Sequence, residues 1–175
     1  LDQKKLDQQF QYWEKNFSSN PGMFGLKPSL AAIKALKIFK EENISNIIEL
    51  GAGLGRDTIY FAKNSISVEA LDYSFSAIKK INQKAKELDL SNFINARIFD
   101  VRKKLPFENK KFQGCFSHML YCMALSNIDL KNLNLEISRI LKNNGINIYT
   151  VRNVNDGDYK NGAHIGGDIY ENDGF

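Results

Sequence analysis

Short apolar segments rich in β-branched residues alternate with amphipathic segments along this chain. The apolar segments predict five β-strands, at residues 46–50, 67–72, 96–100, 112–121 and 145–152. Most of them look buried on both faces, as strands of a parallel sheet are. Strands that alternate with helices are joined by right-handed crossovers. We therefore predict an α/β fold with a doubly wound, mostly parallel sheet flanked by helices.

Between the strands, apolar residues recur at intervals of three and four, as on one face of a helix. One such face is formed by Ala77, Ile78, Ile81, Ala85 and Leu88, and a second by Leu130, Leu133, Ile137, Ile140 and Leu141. Asn143, Asn144 and Gly145 follow the second face and predict the end of that helix. Two further helices are expected before the first strand, over residues 3–17 and 29–42. Residues 153–175 contain five glycines and little apolar periodicity, which predicts a loop.

Composition narrows the class of protein. A length of 175 residues fits a single domain. No apolar run approaches the roughly 18–20 residues of a membrane span, and no signal-peptide pattern opens the sequence. The two cysteines are too few for a disulfide framework or a four-ligand zinc site. We expect a cytoplasmic protein with no membrane segment and no metal.

The charge distribution argues against a nucleic-acid partner. The net charge is only +4, and the lysines occur as scattered singles and pairs. No arginine-rich stripe or interleaved aromatic platform accompanies them, although both are typical of nucleic-acid interfaces. Solvent-exposed helix faces and loops account for these lysines.

A glycine-rich loop follows the first predicted strand and opens a helix. Residues 49–55 read Glu-Leu-Gly-Ala-Gly-Leu-Gly, and such glycines permit a tight turn and close approach of a ligand to the backbone. A dinucleotide-binding loop would have a small residue at position 56, where this chain has Arg56. Glu49 would also repel a pyrophosphate, whereas a carboxylate favours an ammonium or sulfonium group. An NAD site is therefore the weaker interpretation.

Two further acids end the next predicted strands. Asp72 lies 21 residues after Gly51, where a carboxylate can accept hydrogen bonds from ribose hydroxyls. Asp100 ends the third predicted strand and could accept a hydrogen bond from an adenine amino group. Each acid alone could equally cap a helix or face solvent. Together with Glu49 and the glycine loop, they predict a nucleoside-binding site.

These motifs resemble those of class I S-adenosylmethionine-dependent methyltransferases, which have a Rossmann-like fold. The resemblance covers roughly residues 28–152. Its motifs are E-L-G-A-G-L-G at 49–55, L-D-Y-S at 71–74, F-D-V at 99–101, L-P-F at 105–107, F-Q-G-C-F-S at 112–117 and L-K-N-N-G at 141–145. The last departs from the family's Leu-Lys-Pro-Gly-Gly turn by two asparagines. The chain is also similar to small-molecule methyltransferases of the tellurite-resistance and thiopurine type.

The resemblance implies S-adenosyl-L-methionine as the cofactor and S-adenosyl-L-homocysteine as the product. It implies that the cofactor is bound by Glu49, Gly51, Ala52, Gly53, Gly55, Arg56, Asp72, Tyr73, Ser74, Asp100, Val101, Ser117 and His118. The glycine loop would surround the methionyl part, Asp72 the ribose, and Asp100 and Val101 the adenine. Residues 46–152 would form the cofactor-binding core and residues 1–45 would cap the site. Tyr12 and Trp13 are candidate cap residues, and core packing is the other role open to Trp13.

The methyl acceptor is less defined than the cofactor. Methyl transfer requires mainly that the acceptor and the methyl group be aligned, so no fixed catalytic residue follows. His118 and Tyr121 are candidate general bases, and His118 could instead satisfy a loop hydrogen bond. The Asp/Asn-Pro-Pro-aromatic motif of base-amine methyltransferases is missing after the fourth strand, and Cys122 lacks the context of a cytosine-C5 nucleophile. The apolar Met119, Leu120, Met123 and Leu125 indicate a small, partly hydrophobic acceptor.

One feature departs from the family. Its sheet has seven strands and ends in a β-hairpin, whereas only five strands are predicted here. We expect a truncated chain, or one completed by a partner, and an exposed fifth-strand edge would allow oligomerisation. The leading function is methyl transfer to a small molecule. The alternatives are a cofactor-binding protein or partner subunit without turnover, and an NAD-dependent oxidoreductase.

Overall fold

Five parallel strands form the central sheet of the computed structural model, which describes residues 3–123, 125–166 and 169–171. In chain order they are β1 (Asn46–Leu50), β2 (Ser67–Asp72), β3 (Ile94–Ile98), β4 (Phe112–His118) and β5 (Leu141–Thr150). They lie in the order β3-β2-β1-β4-β5, and all neighbours are parallel. The chain thus runs outward from β1 to one edge, then returns and continues through β4 to the other edge. In open α/β sheets, ligands bind where the strand order reverses in this way.

The described residues contain five helices. These are α1 (Gln3–Ser19), α2 (Leu30–Glu41), α3 (Arg56–Lys63), α4 (Phe75–Glu87) and α5 (Asn127–Ile140). Three of them begin at a serine cap, where the hydroxyl of Ser29, Ser74 or Ser126 accepts a hydrogen bond from a backbone N–H of the first turn. Such caps satisfy donors that have no partner within the helix.

A hydrophobic cluster on each face of the sheet holds the helices in place. On one face α2, α3 and α4 pack around Phe39, Phe61 and Phe116, and the last two rings are 5.0 Å apart. On the other face α5 packs against β1 and β4 through Leu133 and Ile137. The predicted doubly wound α/β sheet flanked by helices is confirmed.

The inner strands match the prediction more closely than the outer ones. β1 and β2 have the predicted bounds, and together with β4 they are largely buried. β3 lies two residues earlier than predicted, because the Asp100 carboxylate accepts a hydrogen bond from the Arg102 backbone at 3.0 Å and turns the chain out of the sheet. β3 and β5 are partly exposed. Three of the five strands are therefore largely buried, as expected for most of them, and β3 and β5 are the two that are not.

Both ends of the β4–β5 connection also differ from the prediction. β4 ends at His118 and not at residue 121, because Met119 adopts a left-handed conformation with a φ of 65°. The predicted helix end at 143–145 is wrong, since α5 ends at Ile140 and β5 begins at the next residue. Asn144, with a φ of 63°, instead lies in a stretch where the register with β4 shifts.

Residues 153–175, predicted as a loop, contain a small hairpin. β6 (Ala163–Gly166) pairs antiparallel with β7 (Ile169–Glu171) in a sheet of their own, so the loop prediction is wrong here. Contacts of Tyr170 with His164 and Tyr159 accompany the pairing. Residues 172–175 lie outside the described residues. In the described part of the chain, no strand joins the central sheet beyond β5, and no helix is long and apolar enough to cross a bilayer.

Candidate functional site

The loop between β1 and α3 contains three glycines with positive φ, at 70° for Gly51, 52° for Gly53 and 76° for Gly55. Residues with a side chain rarely adopt this conformation. A Cβ atom on Gly51 would lie 3.2 Å from Leu120 Cδ1, and one on Gly53 would lie 3.6 Å from the Phe17 ring. The missing side chains at Gly51 and Gly53 therefore leave the space beside the loop open.

Gly55 has a different function in the fold. A Cβ atom at this position would lie 2.5 Å from Ile81 Cγ1 on α4. Gly55 therefore lets α3 and α4 pack closely. It does not line the cavity that lies beside the glycine loop.

A cavity of about 320 Å³ lies at the carboxyl ends of β1, β2 and β4. Its lining residues fall into four groups by their position around the sheet. They contribute Trp13, Phe17 and Phe24 from the N-terminal region; Glu49, residues 51–54, Arg56 and Asp57 from around the glycine loop; Asp72, Tyr73, Phe99 and Val101 from the β2 and β3 side; and His118, Met119, Leu120, Met123 and Arg152 from the β4 and β5 side. The cavity thus brings charged groups and apolar side chains to the same space.

Glu49 and Asp72 bring two buried carboxyl groups to this cavity. Glu49 accepts a hydrogen bond from the Thr58 hydroxyl at 2.6 Å, and burial raises its pKa to about 8. Asp72 accepts hydrogen bonds from the backbone N–H groups of Gly53 and Ser74, each at 2.8 Å. Burial nevertheless raises the pKa of Asp72 to about 6. Asp72 therefore fixes the glycine loop to the end of β2, and both acids favour a cationic or hydrogen-bond-donating ligand.

The predicted nucleoside-binding residues are divided between the cavity and its surroundings. Tyr73 and Val101 line the cavity. Ser74 is buried outside it, where it caps α4 and donates a hydrogen bond to Glu14 at 2.6 Å. Asp100 faces a second, neighbouring cavity and is paired with Arg102, whose Nη2 lies 2.7 Å from its carboxylate. Partial burial alone would raise the pKa of Asp100, but the hydrogen bonds from Arg102 lower it overall.

The predicted site residues at the end of β4 and just beyond it also differ in position. His118 lines the cavity, and burial lowers its pKa, with Arg56 acting in the same direction and Asp57 in the opposite one. Ser117 is fully buried, and its hydroxyl has no hydrogen-bond partner among the described residues. Tyr121 lies outside the cavity, stacked on Tyr149 with ring centroids 4.5 Å apart. Of the two candidate bases, only His118 therefore reaches the cavity.

Aromatic side chains from the N-terminal region form a wall that the sequence only partly indicated. Trp13 lines the cavity and also packs on a small cluster of Phe17, Leu54 and Ala77, so cavity lining and core packing both apply to it. Tyr12 contacts the Trp13 ring edge-on and does not line the cavity. Phe24 completes the wall, and the Arg56 guanidinium lies 5.8 Å from its ring centroid. Nothing in the sequence singled out Phe24, because its position depends on how the 20–29 segment folds back onto α3.

The segment that builds this site matches a known family. Residues 47–145, more than half of the chain, match the methyltransferase domain model. The chain belongs to the methyltransferase domain family. This membership confirms the resemblance to class I S-adenosylmethionine-dependent methyltransferases and S-adenosylmethionine as the cofactor. No curated protein gives a significant match to the chain.

Several solved structures share the fold of this methyltransferase domain. The [4+2]-cyclase SpnF is 16% identical with a TM-score of 0.64, and the match covers 78% of this chain and 56% of the cyclase. Phosphoethanolamine N-methyltransferase 1 of Haemonchus contortus, in complex with phosphoethanolamine and S-adenosylhomocysteine, is 21% identical with a TM-score of 0.58 over 79% of this chain and 30% of that one. The PH0226 protein of Pyrococcus horikoshii OT3 is 21% identical with a TM-score of 0.59, and the match covers 68% of this chain and 55% of that protein. The methyltransferase domain thus spans about half or less of each neighbour's length.

Proposed function

We propose that this methyltransferase domain transfers the methyl group of S-adenosylmethionine to a small-molecule acceptor by in-line displacement. One observation carries the proposal: a single cavity joins the buried acids Glu49 and Asp72 to an apolar region formed by Met119, Leu120 and Met123. A charged nucleoside ligand suits the first region, and a small, partly hydrophobic molecule suits the second.

The residues around the glycine loop fit the cofactor. S-adenosylmethionine supplies a methyl group already activated by a sulfonium. The chain supplies a carboxyl group at Glu49 for the positive charge and a carboxylate at Asp72 for the ribose hydroxyls, and Gly51 and Gly53 give the backbone close access. Tyr73, Phe99 and Val101 offer apolar surface for the adenine. These features support the predicted binding roles of the residues that line the cavity.

Four predicted binding residues act indirectly in this proposal. Gly55 allows α3 and α4 to pack, and Ser74 caps α4 while its backbone N–H binds Asp72. Ser117 is fully buried and does not line the cavity, and the Asp100 carboxylate is paired with Arg102. A direct contact of Asp100 with adenine would require that pair to open.

A small-molecule acceptor is supported by the shape and chemistry of the apolar region. On the β4 and β5 side of the cavity, the apolar side chains are accompanied by two polar ones, His118 and Arg152. The structural neighbour from Haemonchus contortus was solved with phosphoethanolamine, itself a small molecule. The chain's task is then to align the methyl acceptor with the methyl group, which can provide much of the rate acceleration.

Substitution of Gly53 tests this assignment. Gly53→Val places a branched side chain at a positive φ and directs it at the Phe17 ring, so we expect S-adenosylmethionine binding to be lost in calorimetric titration. Gly157→Val is the matched control, because a Cβ atom at Gly157 meets no other atom within 4 Å, and its affinity should equal that of the wild type. Equal affinities of all three proteins would contradict the site assignment.

The second candidate is cofactor binding without methyl transfer. It is favoured by the fold's occurrence in the [4+2]-cyclase SpnF, which shows that this architecture is compatible with another reaction. A panel of small acceptors, assayed for S-adenosylhomocysteine formation, separates the two functions. Product with any acceptor supports methyl transfer, and tight cofactor binding with no product across the panel favours the second candidate.

A further inference from the structure

Thr150, the last residue of β5, contacts two residues at the end of β4. The two strands pair so that Thr150 lies opposite His118. Thr150 Oγ1 lies 2.7 Å from His118 Nδ1 and 3.0 Å from the Met119 backbone nitrogen. His118 and Met119 both line the cavity, whereas Thr150 does not. Thr150 can therefore act on the site only through its two neighbours.

The protons of these three groups can be assigned from their hydrogen-bonding capacity. The Met119 N–H can only donate, so Thr150 Oγ1 accepts that bond. In the described part of the chain, the remaining polar atom within reach of the Thr150 hydroxyl is His118 Nδ1. If the hydroxyl donates to Nδ1, every donor has an acceptor. If Nδ1 carried a proton instead, two donors would point at Oγ1 and the hydroxyl proton would have no partner among the described residues.

The first arrangement determines the tautomer of His118. An Nδ1 atom that accepts a hydrogen bond carries no proton, so in the neutral ring the proton is on Nε2. Burial lowers the pKa of His118, which favours the neutral ring. The other charged or titratable groups that line the same cavity are Glu49, Arg56, Asp57, Asp72, Tyr73 and Arg152. Nε2 is then the polar atom of His118 that remains for a ligand, and it can only donate.

Thr150 also stabilises the turn that follows His118. Met119 has a φ of 65°, a conformation that is costly for a residue with a side chain. The hydrogen bond from its N–H to Thr150 fixes this turn, after which Leu120 and Met123 enter the cavity lining. One hydroxyl group thus orients both the polar and the apolar side chains of this region.

We propose that Thr150 is a positioning residue that fixes His118 as the Nε2–H tautomer, so that His118 binds the methyl acceptor as a hydrogen-bond donor and does not remove its proton. This proposal rests on the proposed methyl transfer and specifies the acceptor further. The fitting class is a small molecule with an apolar body and a hydrogen-bond-accepting oxygen or anionic group. Its nucleophilic atom is one that reacts without proton transfer to His118, such as a thiolate.

Nitrogen-15 NMR tests the tautomer directly, without any ligand. The chain contains two histidines, so a His164→Gln protein labelled with ¹⁵N-histidine reports on His118 alone. Long-range ¹H–¹⁵N correlations distinguish a protonated Nε2 from a protonated Nδ1. We expect one neutral species with the proton on Nε2 at neutral pH. A proton on Nδ1, or a charged ring, would overturn the proposal.

Two substitutions test whether Thr150 is the cause. Thr150→Val has nearly the same shape but no hydroxyl, and Thr150→Ser keeps the hydroxyl. We expect a mixture of tautomers and a raised His118 pKa in Thr150→Val, and wild-type spectra in Thr150→Ser. Free imidazole already favours Nε2–H, so the difference between these variants decides the role of Thr150. Identical spectra for both would overturn it, even if the wild type showed the expected tautomer.

The outcomes separate this inference from the proposed function. A fixed Nε2–H tautomer that depends on the Thr150 hydroxyl supports the positioning role even if no acceptor is methylated. Conversely, a pH profile for methyl transfer that follows the His118 titration in the wild type and disappears in His118→Gln would identify a general base. That result would overturn the inference and leave methyl transfer intact.

Discussion

At the scale of single residues, the site depends on two carboxyl groups held out of water. Glu49 and Asp72 are buried at the ends of adjacent strands and line one cavity. Burial raises the pKa of Glu49 to about 8 and that of Asp72 to about 6. Such shifts are common at binding sites, because a ligand of opposite charge can compensate for the cost of ionising a buried acid.

The raised pKa of Glu49 predicts a pH-dependent stability. The folded protein binds this proton more tightly than the unfolded chain, so the resulting stability is complete below the unfolded pKa of 4.5 and is lost as the pH rises through about 8. Glu49→Gln removes this loss. We expect the variant to gain stability over the wild type between about pH 5 and about pH 8, by on the order of a few kcal/mol.

Thermal unfolding followed by circular dichroism across that pH range measures this gain. Glu41→Gln is the matched control, because Glu41 lies on the surface of α2 beside Lys37. The pKa of Asp72 is also raised, but Asp72 is present in all three proteins, so its contribution to the stability difference cancels. A stability difference between Glu49→Gln and the wild type that stays constant with pH would refute the assignment of a neutral Glu49.

The sequence predicted those site residues whose position follows from their place at the end of a strand. Glu49, Gly51, Gly53 and Asp72 lie at the ends of strands whose order follows from the alternation of strands and helices, so their convergence could be anticipated. The pairing of Asp100 with Arg102 and the contact of Thr150 with His118 could not. Both depend on side-chain orientation after the chain has turned or crossed the sheet.

At the scale of elements, α1 is attached to the binding residues and not to the main core. Glu14 accepts hydrogen bonds from the hydroxyl groups of Ser74 and Ser76 at the start of α4. Trp13 and Phe17 pack on Leu54 of the glycine loop. The position of α1 and the shape of the cavity are therefore coupled, and coupling of this kind acts in both directions.

Glu14→Ala tests this coupling. Loss of the hydrogen bonds to α4 should weaken S-adenosylmethionine binding by about 1 kcal/mol, roughly fivefold, although Glu14 does not line the cavity. Hydrogen exchange of the α1 amides should become faster in the variant and slower on cofactor binding in the wild type. Glu87→Ala, at the opposite end of α4 where Glu87 bonds to Gln83, should change neither quantity. Unaltered affinity and exchange in Glu14→Ala would show that α1 is not coupled to the site.

The elements also differ in how well they could be predicted. β1 and β2 have the predicted bounds because nearly all of their residues are buried, on both faces of the sheet. β3 and β5 lie at the edges of the sheet, where exposed positions blur the pattern and local hydrogen bonds or a bulge decide the ends. The hairpin of β6 and β7 escaped prediction because both strands are short and β6 is exposed.

At the scale of the whole molecule, segments from across the described chain meet at one site. The glycine loop, the ends of β1, β2 and β4, and the N-terminal wall surround one cavity. The five-stranded sheet ends at β5 in the described residues, and the chain spans about half or less of the neighbouring structures. The described residues therefore bring together the acids, the glycine loop and the aromatic wall on which the proposed cofactor binding depends.

Parallel calorimetric titrations with S-adenosylmethionine, S-adenosylhomocysteine and NAD test the central claim most directly. The first two should bind, because Glu49, Asp72 and the open glycine loop suit a nucleoside with a methionyl group. NAD should not bind, because Arg56 takes the place of the small residue that a dinucleotide-binding loop requires. Binding of NAD alone, or of none of the three, would contradict the account.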